Sequence, residues 1–185
     1  IVRRYTIVGL TCSNLEVQKL AWFLQRTILA MHLENPLKLS FRANRYGPYA
    51  DQLRHLLDAL DGSFLHSNKR VADASPYESI WFEESRREEV EAFLQSSAMA
   101  AYLLALNKAS DVIDGFESPH GLELLATVDW ILQERQPKRD ARSVRQELER
   151  WPGPEAAGRR KLEQFDERQL DVALRRLLEE TPIGS

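Results

Sequence analysis

Between Leu37 and Gly62 the chain changes its hydrophobic period, and that change limits the folds open to it. Leu37, Leu39 and Phe41 alternate as in a short strand with one buried face. Tyr46-Gly47-Pro48-Tyr49 then breaks the chain. Glycine reaches backbone angles closed to other residues, and proline fixes φ while pushing its predecessor out of the helical region. Leu53, Leu56, Leu57 and Leu60 follow at helical spacing, opposed by Arg54, Asp58 and Asp61, and Gly62 stops the helix. Asn44, Arg45, Arg54 and His55 lie close to the two tyrosines in sequence. Amphipathic rings and planar guanidinium groups on a rigid turn are the material of interface hot spots. The same tyrosines also suit the seam between strand and helix, and both readings stay open.

The rest of the pattern is mostly helical. Residues 1–8 fit either a strand or the end of a helix, with helix preferred. Ser13 or Asn14 caps a helix with Val17, Leu20, Ala21, Leu24 and Ile28 at core spacing, broadened by Trp22 and Phe23. Phe64-Leu65 and the alternation around Ile80 and Phe82 read as further strands. Ser85 caps a helix, and the run Ala98 to Leu106, apolar nearly all round, reads as a buried central helix. Ser118 and Pro119 open another, with Leu122, Leu125, Ala126, Asp129 and Leu132 on its face. Ser143 to Trp151, a Pro152-Gly153-Pro154 connection and Asp166 to Glu180 read as helix, loop, helix. The expected class is mainly α (α+β), a helical domain with a small antiparallel element of two or three short strands. One domain is expected over 1–185, with a sub-boundary near 107–118.

Composition narrows function. The 185 residues, 43% hydrophobic and 29% charged, suit a globular chain that buries a core, and the net charge of −3 gives no support to a general nucleic-acid binder. One cysteine, Cys12, rules out an internal disulfide and fits a reducing cytoplasm. No apolar run reaches the length of a membrane span. Arg139, Arg142, Arg145, Arg150, Arg159, Arg160 and Lys161 make the last third locally basic. Interspersed acids favour a solvated face over a DNA-binding one. The four histidines and Cys12 show no metal-ligand spacing, and there is no nucleophile elbow or phosphate-cradling glycine loop. No catalytic residue, cofactor or metal is therefore expected, and the chain is read as not itself an enzyme.

Five stretches carry a family resemblance. Leu15-Glu-Val-Gln-Lys-Leu-Ala-Trp-Phe-Leu-Gln25, Leu37 to Phe41 and Tyr46-Gly-Pro-Tyr-Ala-Asp-Gln-Leu-Arg-His55 resemble the C-terminal domain of the DarG antitoxins. Gly115 to Trp130 and Phe165 to Leu174 look like later parts of the same domain, in the same order. Arg26 to Asn35 is longer than the family's connection there. The opening blocks are also similar to Panacea-like antitoxin or adaptor domains, which share a Tyr-Gly-Pro turn before a helix. A winged-helix DNA binder is a more distant alternative.

The DarG resemblance implies a domain that binds and inhibits a DarT-type toxin, an ADP-ribosyltransferase acting on single-stranded DNA, by direct contact. It also implies a cytoplasmic protein with an N-terminal macrodomain in cis. The chain opens on Ile1 rather than Met and is read as a piece of a longer protein, the macrodomain lying outside it. Toxin contacts are expected at Arg45, Tyr46, Tyr49, Arg54 and His55 around the structural turn Gly47-Pro48. A second set is expected at Asp111, Asp114, Glu117 and Glu123 around Phe116. Carboxylates spaced along a surface with an aromatic ring between them suit a groove built for phosphates and bases.

Overall fold

The chain's first described helix starts from an acid that reaches backwards. Ser13 is extended, and its N–H donates to Glu16 Oε2 at 2.6 Å, closing the first turn of α1 (Asn14–Ala30). The computed structural model describes residues 2–3, 12–73, 75–154 and 156–180. Most of the 1–8 segment lies outside these; Val2 and Arg3 are helical. The described residues form eight α-helices and a small antiparallel β element, so the mainly α, α+β expectation holds. By contacts the chain divides into two compact units, 1–40 with 50–110, and 41–49 with 111–185.

The first unit is built on α1. Its core side chains include Leu20, Trp22, Phe23 and Ile28, so the Trp-Phe pair is core. Three short strands, β1 (Cys12–Ser13), β4 (Leu65–Ser67) and β5 (Ser79–Phe82), form an antiparallel sheet in the order β1-β5-β4, with Cys12 opposite Ile80 and His66 opposite Trp81. Helix α2 (Gln52–Leu60) follows the expected leucine stripe and ends before Gly62, at φ 74°. Helix α3 (Arg87–Gln95) is preceded by a 3-10 turn over Glu84–Arg86, which Glu83 caps by accepting from the Ser85 N–H, so the cap falls two residues earlier than expected. Leu24, Leu53, Leu57, Leu60, Phe82 and Phe93 line part of an apolar groove of about 580 Å³ in this unit.

Two glutamines on α1 do unusual work here. Gln18 Nε2 donates to the Ala50 carbonyl at 3.1 Å while its Oε1 accepts from the Ala50 N–H at 2.8 Å. Gln25 does the same to Leu39, at 2.8 and 2.9 Å. Each side-chain amide pairs with a backbone as a strand neighbour would, and the seven-residue spacing puts both on one helix face. The chain leaves this unit after one clamp and returns to it at the other.

Between them runs the hairpin of the second unit: β2 (Arg42–Asn44) and β3 (Gly47–Tyr49), antiparallel, with Ala43 opposite Pro48 and Asn44 opposite Gly47. The alternating Leu37-Phe41 segment is therefore the approach to the strand. The Tyr-Gly-Pro-Tyr break is a hairpin turn and return strand, since Gly47 takes φ 95° directly after the two-residue turn.

Helices α5 (Pro119–Glu134), α6 (Ala141–Glu149), α7 (Ala157–Gln164) and α8 (Glu167–Glu180) complete that unit. Every residue of α5 from Gly121 to Ile131 is buried, so this is its central helix. The expectation of a buried helix over Ala98 to Leu106 is corrected: the chain makes a 3-10 turn at Ser97–Met99, and in the following α4 (Ala100–Ile113) Ala101 and Leu104 are exposed. Only one stripe of α4, including Ala105, Leu106 and Ala109, finds core. Helix α7 was not expected at all.

Candidate functional site

The site grows from a tryptophan that needs a partner for its N–H. Trp151 follows α6, is 7% exposed, and donates from Nε1 to the Asn44 carbonyl at 3.0 Å, tying down the β2 end of the hairpin turn. Gly153 makes this approach possible, because a Cβ there would stand 2.5 Å from the Trp151 Nε1. Trp130 of α5 packs edge-on against the same indole, with centroids 4.8 Å apart. The Pro152-Gly153-Pro154 connection thus supplies the space in which hairpin and helices meet.

Beneath the turn lies an ion triad of two buried members and one half-buried one. Glu123 on α5 is 3% exposed and Lys161 on α7 is fully buried. Arg160 holds Glu123 through two hydrogen bonds, Nη1 to Oε1 at 2.6 Å and Nη2 to Oε2 at 2.9 Å. Lys161 Nζ donates to Glu123 Oε1 at 2.8 Å and sits 5.0 Å from the Trp151 ring centre and 5.8 Å from that of Phe165. Burial works against the Glu123 carboxylate, yet the Arg160 hydrogen bonds and the Lys161 charge outweigh it and hold its pKa below the usual range. For Lys161 burial wins over Glu123 and lowers the pKa from the ordinary lysine value. Breaking either side of such a buried pair strands a charge, which costs far more than a surface pair contributes.

Arg160 connects triad and turn. Its Nη1 also donates to the Arg45 carbonyl at 3.4 Å, and its guanidinium carbon lies 4.7 Å from the Tyr46 ring centre. Arg45, exposed at the tip, lies over the same ring at 5.4 Å. A half-buried tyrosine therefore carries two guanidinium groups, one neutralised by Glu123 and one turned to solvent.

Of the expected contact residues, Arg45, Tyr46 and Glu123 are brought together here. Gly47 and Pro48 are buried in β3, and Tyr49 is half-buried in the same strand. Arg54 and His55 are exposed on α2 in the first unit. Asp111 and Asp114 are exposed at the end of α4 and Glu117 is half-buried. The surface role expected of Glu123 and Phe116 is corrected: Glu123 is turned inward to two cations, and Phe116 is 9% exposed and packs as core. The basic last third is likewise no solvated row at Arg160 and Lys161. Arg145 also spends its guanidinium on the Leu162 and Phe165 carbonyls at 3.4 and 3.3 Å. Sequence reasoning passed over Trp151, Gly153, Arg160 and Lys161 as site residues. The Trp-Pro-Gly-Pro string was the one signal that a ring and a close approach coincide.

Among the described residues no group of His, Cys, Asp and Glu gathers as a metal would require, and no helix is long and apolar enough to cross a membrane. Cys12 is buried, which pushes its thiol up and leaves it unreactive.

What the fold and this site define is a mainly helical chain that builds a rigid hairpin tip on buried charges. No family model matches it. It is similar to proteins named DNA ADP-ribosyl glycohydrolase: 34% identical over 94% of the chain to one from Thermus aquaticus, and 30% identical over 90% to one from Mycobacterium bovis and to one from Mycobacterium tuberculosis. The chain spans less than half the length of these relatives, 43% and 44%. The expectation that the chain is not an enzyme is overturned by these names, since nearly all of it aligns with proteins named for a hydrolase activity.

Proposed function

We propose that the chain acts in a DarT/DarG-type system as the part that binds a DarT-type toxin and inhibits it by direct contact. The likeness over nearly the whole chain to DNA ADP-ribosyl glycohydrolases carries the assignment to a system of DNA ADP-ribosylation. The DarG-like blocks and the rigid exposed hairpin tip support contact with a protein. The contact surface proposed is Arg45 and Tyr46 at the tip, with Asp111, Asp114 and Glu117 as a second patch; Arg54 and His55 on α2 are a further, separate patch. Occupation of the toxin's DNA groove is the finer form of the proposal, carried by the acids alone.

Because the relatives are named for removing ADP-ribose from DNA, the test separates inhibition from reversal. The chain is mixed with the toxin encoded beside it, NAD and a single-stranded oligonucleotide, and nicotinamide release is followed. Inhibition lowers that release, whereas hydrolysis of the product leaves it untouched. Undiminished release at saturating chain, with no complex in gel filtration, removes the reading. Labelled oligonucleotide titrated into the complex decides the groove: competition supports it, and a stable ternary complex sinks it.

A second reading is favoured by the relatives' names, that this chain itself takes part in releasing ADP-ribose from DNA. Incubating it with an ADP-ribosylated oligonucleotide tests this directly, and free ADP-ribose in the presence of the pure chain supports it.

A further inference from the structure

We infer that the β2–β3 tip is a preassembled anchor for one carboxylate on a protein partner, with Arg45 as the contacting cation and Arg160 as the residue that positions it. The inference deepens the toxin-binding reading and rests on it for the partner's identity.

The charge balance at the tip comes first. Arg45 is exposed, and among the described residues no carboxylate lies within ion-pair reach of it. Several other exposed arginines are answered by nearby acids, as Arg70 is by Asp58, Arg86 by Glu89 and Arg87 by Glu91. Arg45 instead rests on the Tyr46 ring, 5.4 Å from its centre. A guanidinium held on a ring keeps its planar fork and gives up less rotamer freedom when a partner arrives.

Its position is then set from below. Arg160 bonds the Arg45 carbonyl and lies over the same ring, and Glu123 grips Arg160 with both oxygens. Trp151 fixes the Asn44 carbonyl one residue earlier. The two peptides that place the Arg45 side chain are thus both held, one by the buried Trp151 indole and one by the half-buried Arg160 guanidinium. Such rigidity lowers the ordering cost of binding.

The class of ligand follows from what the neighbouring cations are doing. A nucleic acid needs a row of cations along its phosphates. Here Arg160 and Lys161 are spent on Glu123, and Arg145 on two carbonyls. At the two-residue turn itself Arg45 presents a single fork, and one fork matches one carboxylate through two parallel hydrogen bonds.

The test is calorimetric titration of the full chain with the toxin at low and moderate salt. Arg45→Ala should weaken binding by about tenfold or more, and Arg45→Lys should lose most of that because the charge survives without the fork. Arg160→Lys should also weaken binding, and Arg45→Ala with Arg160→Lys should be no weaker than Arg45→Ala alone. A merely structural role for Arg160 would add to the loss. Arg45→Ala should also flatten the salt dependence. If Arg160→Lys fails to fold, Gly153→Ala disturbs the tip through Trp151 with every cation in place, and should weaken wild-type binding but leave Arg45→Ala binding unchanged. A toxin that binds wild type and Arg45→Ala alike overturns the anchor alone, as does Arg45→Lys at wild-type affinity. Single-stranded DNA bound by the chain alone and lost in Arg45→Ala would mean a phosphate ligand and overturn it too. No toxin binding by wild type removes the functional reading and the anchor with it.

Discussion

At the scale of single residues, Glu123 and Lys161 are the most exacting pair in the second unit, because neither charge has water to fall back on. Glu123→Gln should destabilise the chain by roughly 3–5 kcal/mol, as removal of one partner from a buried pair does, since Lys161 stays behind with its charge. Glu123→Leu combined with Lys161→Met should cost clearly less than the two single changes added together. Urea titrations at neutral pH measure this, and a double variant at the full sum would mean the two do not interact. The sign of the acid response follows from the same site. The Glu123 pKa is lowered in the folded state, so its contribution is fully present above the unfolded carboxylate value of about 4.3 and is lost as pH falls through the folded one. The stability of Glu123→Gln should therefore fall less steeply than wild type on that limb. Lys161 runs the other way: its lowered pKa means the unfolded chain keeps the proton longer as pH rises, so its unfavourable contribution is relieved in the alkaline range. Gly153 is a third exacting position. Gly153→Ala places a methyl 2.5 Å from the Trp151 Nε1, and breaking the bond to Asn44 should lower stability by about 1–3 kcal/mol and shift the tryptophan emission.

At the scale of elements, two backbone positions of the first unit, Leu39 and Ala50, are held by side-chain amides of α1 rather than by a neighbouring strand. Gln18→Leu leaves the buried Ala50 N–H without its partner, while the Ala50 carbonyl still accepts from the Leu53 N–H at 3.2 Å, and should cost about 2 kcal/mol with faster exchange of the Ala50 amide. Gln25→Leu should cost less, because its bonds to Leu39 are only partly buried. Equal losses in thermal unfolding would count against burial as the reason. This arrangement explains what the sequence could and could not say. Leucines at helical spacing made α2 readable, and the Ser118-Pro119 start made α5 readable. The β3 strand was hidden because proline argues against a strand, and a two-stranded ribbon, in which each strand keeps a free edge, tolerates it. Helix α7 was hidden because its buried face is Ala157 and Lys161, four residues apart. A stripe made of an alanine and a lysine carries no hydrophobic period. Conversely Ala98 to Leu106 carries more apolar residues than the first unit buries, so its composition promised a core position that the fold does not give it.

At the scale of the whole molecule, the candidate site was legible only in fragments, because its parts meet across long stretches of chain. Asn44 and Trp151 are 107 positions apart, and Arg160 reaches Arg45 across 115. Arg45 and Tyr46 stand out from composition alone, but nothing local says that a basic run far downstream will turn inward beneath them. The same division between locally evident and buried structure should govern how the molecule opens. Residues Gly121 to Ile131 of α5 are buried without interruption and include the carboxylate of the ion triad, so opening them exposes apolar surface and separates charges at once. Much of the stretch from Arg87 to Leu104 is exposed, with Phe93 at 60% and Leu104 at 49%, and α3 buries no residue fully. Free energies of local opening follow such differences in burial. Native-state hydrogen exchange should therefore find the slowest amides within 122–131 and the fastest helical ones within 87–104. Lys161→Met should speed exchange in the first stretch and leave the second unchanged. Equal protection of the two stretches would show that buried area and buried charge do not set the order of opening.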